Sequence, residues 1–184
     1  MVELIDIVTK DQKPTAQVAS KSEVHAQGLY HNTAHIWFYT KTNEVLLAQR
    51  SASKLICPLL WDVSVAGHVD AGETIEEAAI RETQEEIGLI IQETDLKKIG
   101  VFECFQDYDS GFKDYEFHNT YLSELKVEIQ DLKFNTEEVE AIKLVSFPSF
   151  EELLEGSETN GHFVATNRAY YEFVLEQIKL QLSA

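Results

Sequence analysis

The sequence is poor in cysteine and in basic residues. Only two cysteines, Cys57 and Cys104, occur among 184 residues, and neither has the Cys-x-x-Cys spacing typical of metal or redox sites. The 15 lysine and arginine residues face 32 aspartate and glutamate residues, which gives a net charge of -17. Because so acidic a surface repels phosphate backbones and anionic lipids, we expect neither nucleic acid nor a membrane as a partner.

Long apolar runs are also missing. No stretch reaches the roughly 18 consecutive apolar residues of a membrane span, and the N-terminus has no basic region followed by an apolar core. Together with the low cysteine content, these absences predict a cytoplasmic protein. No segment rich in Pro, Gly or Ser divides the chain, so we expect a single α/β domain over residues 1–184.

Hydrophobic patterning predicts strands followed by short helices. The N-terminal extension over residues 1–30 is expected to hold an edge strand at 3–8 and a short helix, capped by Ser20 or Ser22, that ends near Gly28. The other predicted elements are a hairpin of strands 34–40 and 44–50, a strand 61–66 with Trp61, Val63 and Val65 on one face, strands 98–108 and 115–125 joined at Asp109 to Gly111, a strand 139–147, a helix 148–156 and a helix 166–182.

Residues 67–89 read GHVDAGETIEEAAIRETQEEIGL, a glycine-punctuated loop followed by a short acidic helix that ends at Gly88. At 3.6 residues per turn, Glu82, Glu85 and Glu86 share one side of this helix. Like charges at this spacing destabilise a helix by roughly 0.2 to 0.5 kcal/mol per pair, so stability does not require them. A solvated acidic face is the alternative interpretation. The predicted packed face consists of Ala79, Ile80, Thr83 and Ile87.

The spacing within this stretch resembles the signature of the Nudix hydrolase superfamily. The residues that match the signature are Gly67, Glu73, Arg81, Glu82, Glu85, Glu86, Ile87, Gly88 and Leu89. Thr83 departs from it, because the pattern has an aliphatic residue there; since Thr83 lies on the packed side, the departure bears on packing more than on chemistry. The resemblance implies the Nudix fold, a mixed β-sheet sandwiched between helices.

Magnesium prefers oxygen ligands and is usually held by carboxylates together with substrate phosphates. The resemblance implies that Glu82, Glu85 and Glu86 hold Mg²⁺, for which Mn²⁺ would substitute. A backbone carbonyl of Ala66 or Gly67 is expected to assist them. The implied reaction is the metal-assisted hydrolysis of a diphosphate linkage in a nucleoside diphosphate derivative.

Neighbouring residues of the signature have supporting roles. The resemblance implies that Glu73 supports the loop and that Arg81 orients a glutamate within the catalytic group. Helical spacing places Arg81 within pairing distance of both Glu77 and Glu85. His68 and Glu73 are also expected to contact the substrate.

A general base and a phosphate-binding group complete the predicted site. Either Glu85 or Glu116 could accept the proton of water, and Asp114, two residues before Glu116, faces the same way if this segment is a strand. Arg50 and Lys54 are the basic residues expected to hold substrate phosphates. Alternatively, Asp114 and Glu116 are carboxylates at the rim of the site, and Arg50 and Lys54 belong to a solvated loop.

The sequence also resembles the type I isopentenyl diphosphate isomerases, which share the Nudix fold, in the runs 31–37, 46–54, 61–68 and 114–116. The isomerase chemistry requires a cysteine where this chain has Ala66, and alanine cannot transfer a proton. The retained hydrolase glutamates and the missing cysteine favour a hydrolase.

The isomerase resemblance further implies a metal site built from histidines. His31 and His25 are the matching residues and His68 is a third, whereas the role of His35 is left open. Ordinary loop histidines are the alternative. A catalytically silent Nudix module that senses a nucleotide is a third possibility, although such modules usually have eroded glutamates.

The predicted partner is a small-molecule diphosphate whose attached group the sequence leaves open. The aromatic residues Trp37, Tyr39, Trp61 and Phe105 could stack a base, but aromatic residues in strands more often belong to the core. A homodimer could use the N-terminal strand or the C-terminal helix.

Overall fold

The computed structural model describes residues 2–163 and 167–183, which form a nine-stranded mixed sheet with helices on both faces. The strands are β1 Leu4–Val8, β2 Pro14–Ser20, β3 His31–Tyr39, β4 Glu44–Arg50, β5 Trp61–Asp62, β6 Val65–His68, β7 Lys97–Asp107, β8 Lys113–Glu124 and β9 Val139–Ser146. The helices are α1 Lys21–Gln27, α2 Ile75–Ile87, α3 Phe147–Glu155 and α4 Arg168–Ser183. Within the described ranges, no helix combines the length and apolar composition needed to cross a membrane.

Strand β3 is the centre of the sheet. It pairs in antiparallel with β1 and β6 and in parallel with β8. The register places His31 beside Glu116 of β8 and His35 beside Ala66 of β6. Because of these pairings, histidines from early in the chain lie next to the carboxylate of a strand that follows the signature helix.

Alternate side chains of β3 enter two different cores. Trp37 packs in the core that α3 and α4 cover, whereas Phe38 packs in the core that α2 covers. The predicted sheet between helices is therefore confirmed. The apolar stripe predicted for the C-terminal helix consists of Tyr171, Val174, Leu175, Ile178 and Leu182; the first four are buried, and Leu182 is partly buried against the same core. Thr166, where the prediction began this helix, lies outside the described residues.

The first strand was predicted to lie at the edge of the sheet, and this predicted position is wrong. β1 lies between β2 and β3, and β2 takes the edge of the sheet. The sequence of β2, PTAQVAS, lacks a buried apolar face, and most of its residues are exposed or half-buried. A strand of this kind gives no alternating signal, which is why hydrophobic patterning misses it.

The predicted hairpin of the third and fourth strands is also only partly correct. β3 and β4 pair at Tyr39 and Val45, close to the connecting loop. Beyond that point β4 pairs along its length with β9, and β3 pairs with β6 and β8. Alternation within single strands predicted the strands but not their partners, since pairing depends on contacts far apart in the sequence.

The predicted strand over residues 61–66 is divided into β5 and β6. Val63 lies in the core with α3 and α4 and Val65 in the core with α2, so the two valines do not share a face. Between them, the Ser64 hydroxyl donates to the carbonyl of Leu46 and accepts from the amide of Phe38. Because this side chain takes over hydrogen bonds of the ladder, the regular alternation stops at Ser64.

The predicted helix ends are largely confirmed. Ser20 caps α1 and Gly28 follows it with a φ of 68°. The signature helix α2 begins after Thr74, whose hydroxyl accepts from the amide of Glu77, and it ends before Gly88 with a φ of 69°. A left-handed conformation at this place favours glycine, which explains why the helix ends at Gly88.

Candidate functional site

The signature loop and helix meet where Gly67 of β6 faces Glu82 of α2. A Cβ atom on Gly67 would lie 2.0 Å from the Cδ atom of Glu82, far inside van der Waals contact. Gly67 therefore admits the carboxylate of Glu82 to the backbone of the strand. This close approach would let a backbone carbonyl and a side-chain carboxylate bind the same cation.

Arg81 joins the loop to the helix through five hydrogen bonds, as many as its guanidinium group has N–H donors. Its Nε and Nη2 atoms donate to the two oxygens of Glu73 at 3.0 and 2.9 Å, and Nη2 also donates to the carbonyl of His68 at 2.9 Å. Nη1 donates to Glu82 at 2.7 Å and to Glu85 at 3.2 Å. Arg81 therefore holds Glu73, Glu82 and Glu85 in one arrangement.

Arg81 does not form the expected ion pair with Glu77. The carboxylate of Glu77 instead accepts from the amide and hydroxyl of Thr74, closing a capping box at the start of α2. The capping interaction is local and satisfies two donors, so it competes successfully with the ion pair. The expected pairing of Arg81 with Glu85 does form.

The three glutamates of α2 have different environments. The side chain of Glu85 is 58% exposed, whereas Glu86 is buried and its Oε2 accepts weakly from the amide of Ala66 at 3.4 Å. Burial, together with the nearby carboxylate of Glu82, raises the pKa of Glu86 to about 8. Burial likewise raises the pKa of Glu82. Buried carboxylates that resist ionisation lack a counter-charge, and a divalent cation would supply it.

These carboxylates line a cavity of about 650 Å³. Ten predicted site residues or ligand positions reach the lining, namely Arg50, Lys54, Gly67, His68, Arg81, Glu82, Glu85, Glu86, Asp114 and Glu116. Glu73 is not part of the lining, and its carboxylate binds Arg81 and the amide of Asp70. The geometry therefore gives Glu73 contacts that support the loop.

The two basic residues predicted to hold phosphates, Arg50 and Lys54, already have oxygen partners. Arg50 donates from Nε and Nη2 to the carbonyl of Ile56 at 3.3 and 3.1 Å. Lys54 forms an ion pair with Glu138, and the charge of Lys54 acts to lower the pKa of Glu86. Arg50 and Lys54 thus lie on the loop side of the cavity, with Lys54 electrostatically linked to the glutamates.

Beside this part of the chain, His25 and His68 of the lining and the fully buried His31 each have one ring nitrogen fixed by an oxygen. Nδ1 of His25 lies 3.1 Å from the carbonyl of Lys113, and Nδ1 of His31 lies 2.9 Å from the carbonyl of Leu29. Nδ1 of His68 lies 3.1 Å from Oε1 of Glu3. Because carbonyl and carboxylate oxygens only accept, all three Nδ1 atoms carry the proton and each Nε2 presents a lone pair.

These Nε2 atoms converge on Glu116. Nε2 of His25 lies 3.1 Å from Nε2 of His68, a contact between two lone pairs that no proton relieves in this tautomer. Nε2 of His31 is buried without a hydrogen-bond partner and lies 3.5 Å from Oε1 of Glu116. One atom from each of the four residues lies within 4.8 Å of the others. Three nitrogens and one oxygen fit a transition-metal ion.

Charge in this histidine centre is carried by Glu116. Burial alone would raise the pKa of Glu116, but its hydrogen bond with His118 and the neighbouring His31 hold it well below its usual range. Burial and the nearby Glu116 raise the pKa of Asp114, so Asp114 holds a proton while Glu116 is ionised. Burial also lowers the pKa of His25 to about 4, which keeps its imidazole neutral and able to bind a metal.

Sequence patterns pointed to most of these residues but missed Glu3 and His118. Glu3 lies in the N-terminal extension, and its contact with His68 depends on β1 lying beside β3. His118 lies two residues after Glu116 in β8 and its Nε2 is 3.0 Å from Oε2 of that residue. The spacing of Glu116 and His118 on one strand face was the signal that could have identified the latter.

The sequence of this chain is similar to those of known proteins. A family model described as NUDIX domain matches residues 29–166. The chain is 35% identical over 157 residues to Nudix hydrolase 3 of Arabidopsis thaliana, covering 83% of this chain and 20% of that protein. It is 29% identical to the uncharacterized Nudix hydrolase lin0387 of Listeria innocua, covering 86% of each. The chain thus spans about a fifth of the plant relative but most of the bacterial one.

Other similarities concern the isomerases and the fold. The chain is 27% identical to isopentenyl-diphosphate Delta-isomerase 2 of Photorhabdus laumondii, covering 85% of both chains. Among solved structures, DR0079 from Deinococcus radiodurans superposes with a TM-score of 0.66 at 21% identity, covering 86% of this chain and 91% of that one. At this level of identity the structural match shows a shared fold.

Proposed function

This chain belongs to the Nudix hydrolase family, and we propose that it uses Mg²⁺ to hydrolyse a diphosphate linkage in a nucleoside diphosphate derivative. The predicted family, fold and enzyme class are confirmed. The substrate, the ion and the roles of individual residues belong to the proposal. One observation supports it above all, the close contact of Gly67 with Glu82 beside the buried Glu86.

Glu82 and Glu86 are the proposed principal ligands of the ion, with the backbone of Gly67 assisting. Their raised pKa values reflect charge that the protein itself does not neutralise. A bound divalent ion would supply positive charge that polarises the phosphate and acidifies a water molecule. Arg81 keeps Glu82 and Glu85 in position, because it donates to both.

We assign the general base to Glu85 in preference to Glu116. Glu85 is exposed and lines the cavity, so a water molecule can reach it. Both oxygens of Glu116 face histidines, and its pKa is held well below the usual range, which makes it a poor proton acceptor. Arg50 and Lys54 would receive the phosphate that leaves, since both line the same cavity.

The test is the release of phosphate or pyrophosphate from a panel of nucleoside diphosphates, nucleoside triphosphates, nucleotide sugars and dinucleotides with Mg²⁺. We expect turnover of at least one member, and Glu86→Gln should lower kcat by about 100-fold or more because an anionic ligand is lost. Glu77→Gln is the matched control, since Glu77 caps the same helix and does not line the cavity. Release from no member of the panel by the folded protein would refute the hydrolase and favour a binding module.

Isomerisation of isopentenyl diphosphate is the second candidate function. The histidine centre of His25, His31, His68 and Glu116 favours it, because the isomerase resemblance implies such a site. Ala66 opposes it, because its methyl group has no proton to transfer. Incubation with isopentenyl diphosphate separates the two reactions: a hydrolase releases phosphate or pyrophosphate, whereas an isomerase forms an isomer of unchanged mass.

A cytoplasmic location and a homodimer are further parts of the proposal. Leu4 of β1 and Val18 of β2 are 48% and 49% exposed, so the N-terminal hairpin offers apolar surface at the edge of the sheet. Sedimentation at several protein concentrations tests the dimer. A single monomeric species throughout would contradict it.

A further inference from the structure

A second group of buried side chains lies on the far side of Glu116 from the histidine centre. One nitrogen of His35, one nitrogen of His118 and one oxygen of Glu116 lie within 4.8 Å of one another. The rings of His35 and His118 stack with their centroids 3.9 Å apart. All three residues line the cavity, and the proposed hydrolysis assigns no role to either histidine.

A hydrogen-bond network around Tyr170 fixes the tautomer of His35. The Tyr170 hydroxyl lies 3.0 Å from Nδ1 of His35, accepts from Nε1 of Trp37 at 2.9 Å, and lies 3.4 Å from the hydroxyl of Thr120. The Thr120 hydroxyl donates to the carbonyl of His118, so it can accept the proton of Tyr170. The Tyr170 oxygen then accepts from Nδ1 of His35, which leaves Nε2 of His35 with a lone pair.

The two oxygens of Glu116 face different sets of histidines. Oε1 lies 3.5 Å from Nε2 of His31 and 3.8 Å from Nε2 of His68. Oε2 lies 3.0 Å from Nε2 of His118. A carboxylate can bind one ion through each oxygen, and this division of partners matches such a bridge.

We propose that His35, His118 and Glu116 form a second transition-metal site, and that Glu116 bridges this ion to another held by His25, His31 and His68. Imidazole nitrogens together with a carboxylate suit divalent zinc, cobalt and manganese. The ion takes the place of the hydrogen bond between Nε2 of His118 and Oε2 of Glu116. This pair of ions is separate from the Mg²⁺ of the signature glutamates, so the inference does not depend on the proposed hydrolysis.

Titration of the metal-free protein with Co²⁺ tests the proposal. Cobalt in nitrogen-rich sites of low coordination number absorbs visible light strongly, whereas cobalt among oxygen ligands absorbs weakly, so the signature glutamates contribute little to the signal. The wild-type protein should bind two absorbing ions per chain. His118→Gln should weaken the second ion by at least about tenfold and leave the first, whereas His25→Gln should weaken the first and Glu116→Gln both.

The matched control is His162→Gln, because His162 stacks on Trp61 and does not line the cavity. It should bind two absorbing ions with unchanged affinity. A wild-type protein that binds one absorbing ion, or a His118→Gln protein that binds both ions with wild-type affinity, overturns the proposal.

A measurement on the wild-type protein covers the case in which a variant fails to fold. During a Zn²⁺ titration followed by ¹⁵N NMR of the imidazoles, Nε2 of both His35 and His118 should shift together on binding of one equivalent. Nε2 of His25, His31 and His68 should shift together on binding of another. If the His35 and His118 resonances stay unchanged while the other three shift, the second site does not exist.

Discussion

Oε1 of Glu3 lies 3.1 Å from Nδ1 of His68, although Glu3 precedes the part of the chain that the family model matches. The contact holds the proton on Nδ1 and turns Nε2 of His68 toward Glu116. Hydrogen bonds with His68 and Lys21 overcome the effect of burial and lower the pKa of Glu3 to about 2, so Glu3 is ionised. The residue that precedes β1 thus contributes an anion that orients a ligand of the histidine centre.

Replacing Glu3 should therefore weaken metal binding at the histidine centre. We expect Glu3→Ala to reduce the affinity for the first Co²⁺ ion by roughly 10- to 100-fold, the range typical of residues that orient a ligating histidine. Glu3→Gln keeps an acceptor oxygen without the charge, so its Co²⁺ affinity should lie between those of the wild-type protein and Glu3→Ala. Glu103→Ala is the control, since Glu103 is exposed on β7. Equal affinities for all four proteins would show that Glu3 has no positioning role.

Adding one methyl group at Gly67 should abolish the proposed Mg²⁺ site. The Cβ atom of Gly67→Ala would collide with the carboxylate of Glu82, which is held by Arg81 and cannot simply move away. We expect kcat and Mg²⁺ affinity, measured by calorimetry, both to fall. In the control Gly156→Ala, the new atom meets only the end of the Asn160 side chain, 2.9 Å away. Unchanged Mg²⁺ affinity in Gly67→Ala would disprove the role of this contact.

Glu86 should make the stability of the metal-free protein depend on pH. Burial raises its pKa to about 8, from an ordinary value of 4.5. Between these values the folded state keeps a proton that the unfolded state releases, so the free energy of unfolding should fall as pH rises, by up to roughly 1.4 kcal/mol per pH unit. Above pH 8 the loss is complete.

Urea denaturation with a chelator between pH 5 and 8 measures this effect. Because Glu86→Gln cannot ionise, its stability should gain on that of the wild-type protein as pH rises. Mg²⁺ added at pH 8 should restore the wild-type protein by binding the ionised carboxylate. Parallel pH profiles for the two proteins would rule out a raised pKa at Glu86.

Thr83, the departure from the signature, should affect packing and leave catalysis unchanged. Its side chain is buried, and its hydroxyl donates to the carbonyl of Ala79 one turn earlier. Since that carbonyl also accepts a backbone hydrogen bond within the helix, Thr83→Val should change the free energy of unfolding by about 1 kcal/mol or less. A kcat that changed severalfold in a folded Thr83→Val protein would mean that the position bears on chemistry.

Local sequence signals predicted the signature helix with its ends because they act over a few residues. Ser20, Thr74 and Gly88 cap their helices through neighbouring backbone groups, so spacing alone identified α1 and α2. The hydrophobic stripe of α4 was equally visible. Strand pairing could not be predicted in this way. β4 pairs mainly with β9, and the contacts between these strands join residues far apart in the sequence.

The same distinction applies to the site. Glu82, Glu85 and Glu86 lie within one turn of helix and were found by their spacing. Glu3 and His118 act through partners that the sheet brings to them, His68 and Glu116. Glu3 carries no signal of its own, because an isolated glutamate is usually a surface residue. His118 could have been identified only from its spacing to Glu116 on one strand face.

The parallel pairing of β3 with β8 also determines when the histidine centre can assemble. His31 and Glu116 meet only after the chain closes a long loop that contains the hairpin loops, α2 and β7. Closing such a loop is slow and costs entropy before any contact is gained. Metal ions should therefore leave the folding rate almost unchanged and act chiefly by slowing unfolding, so that the bound ions prolong the lifetime of the native protein.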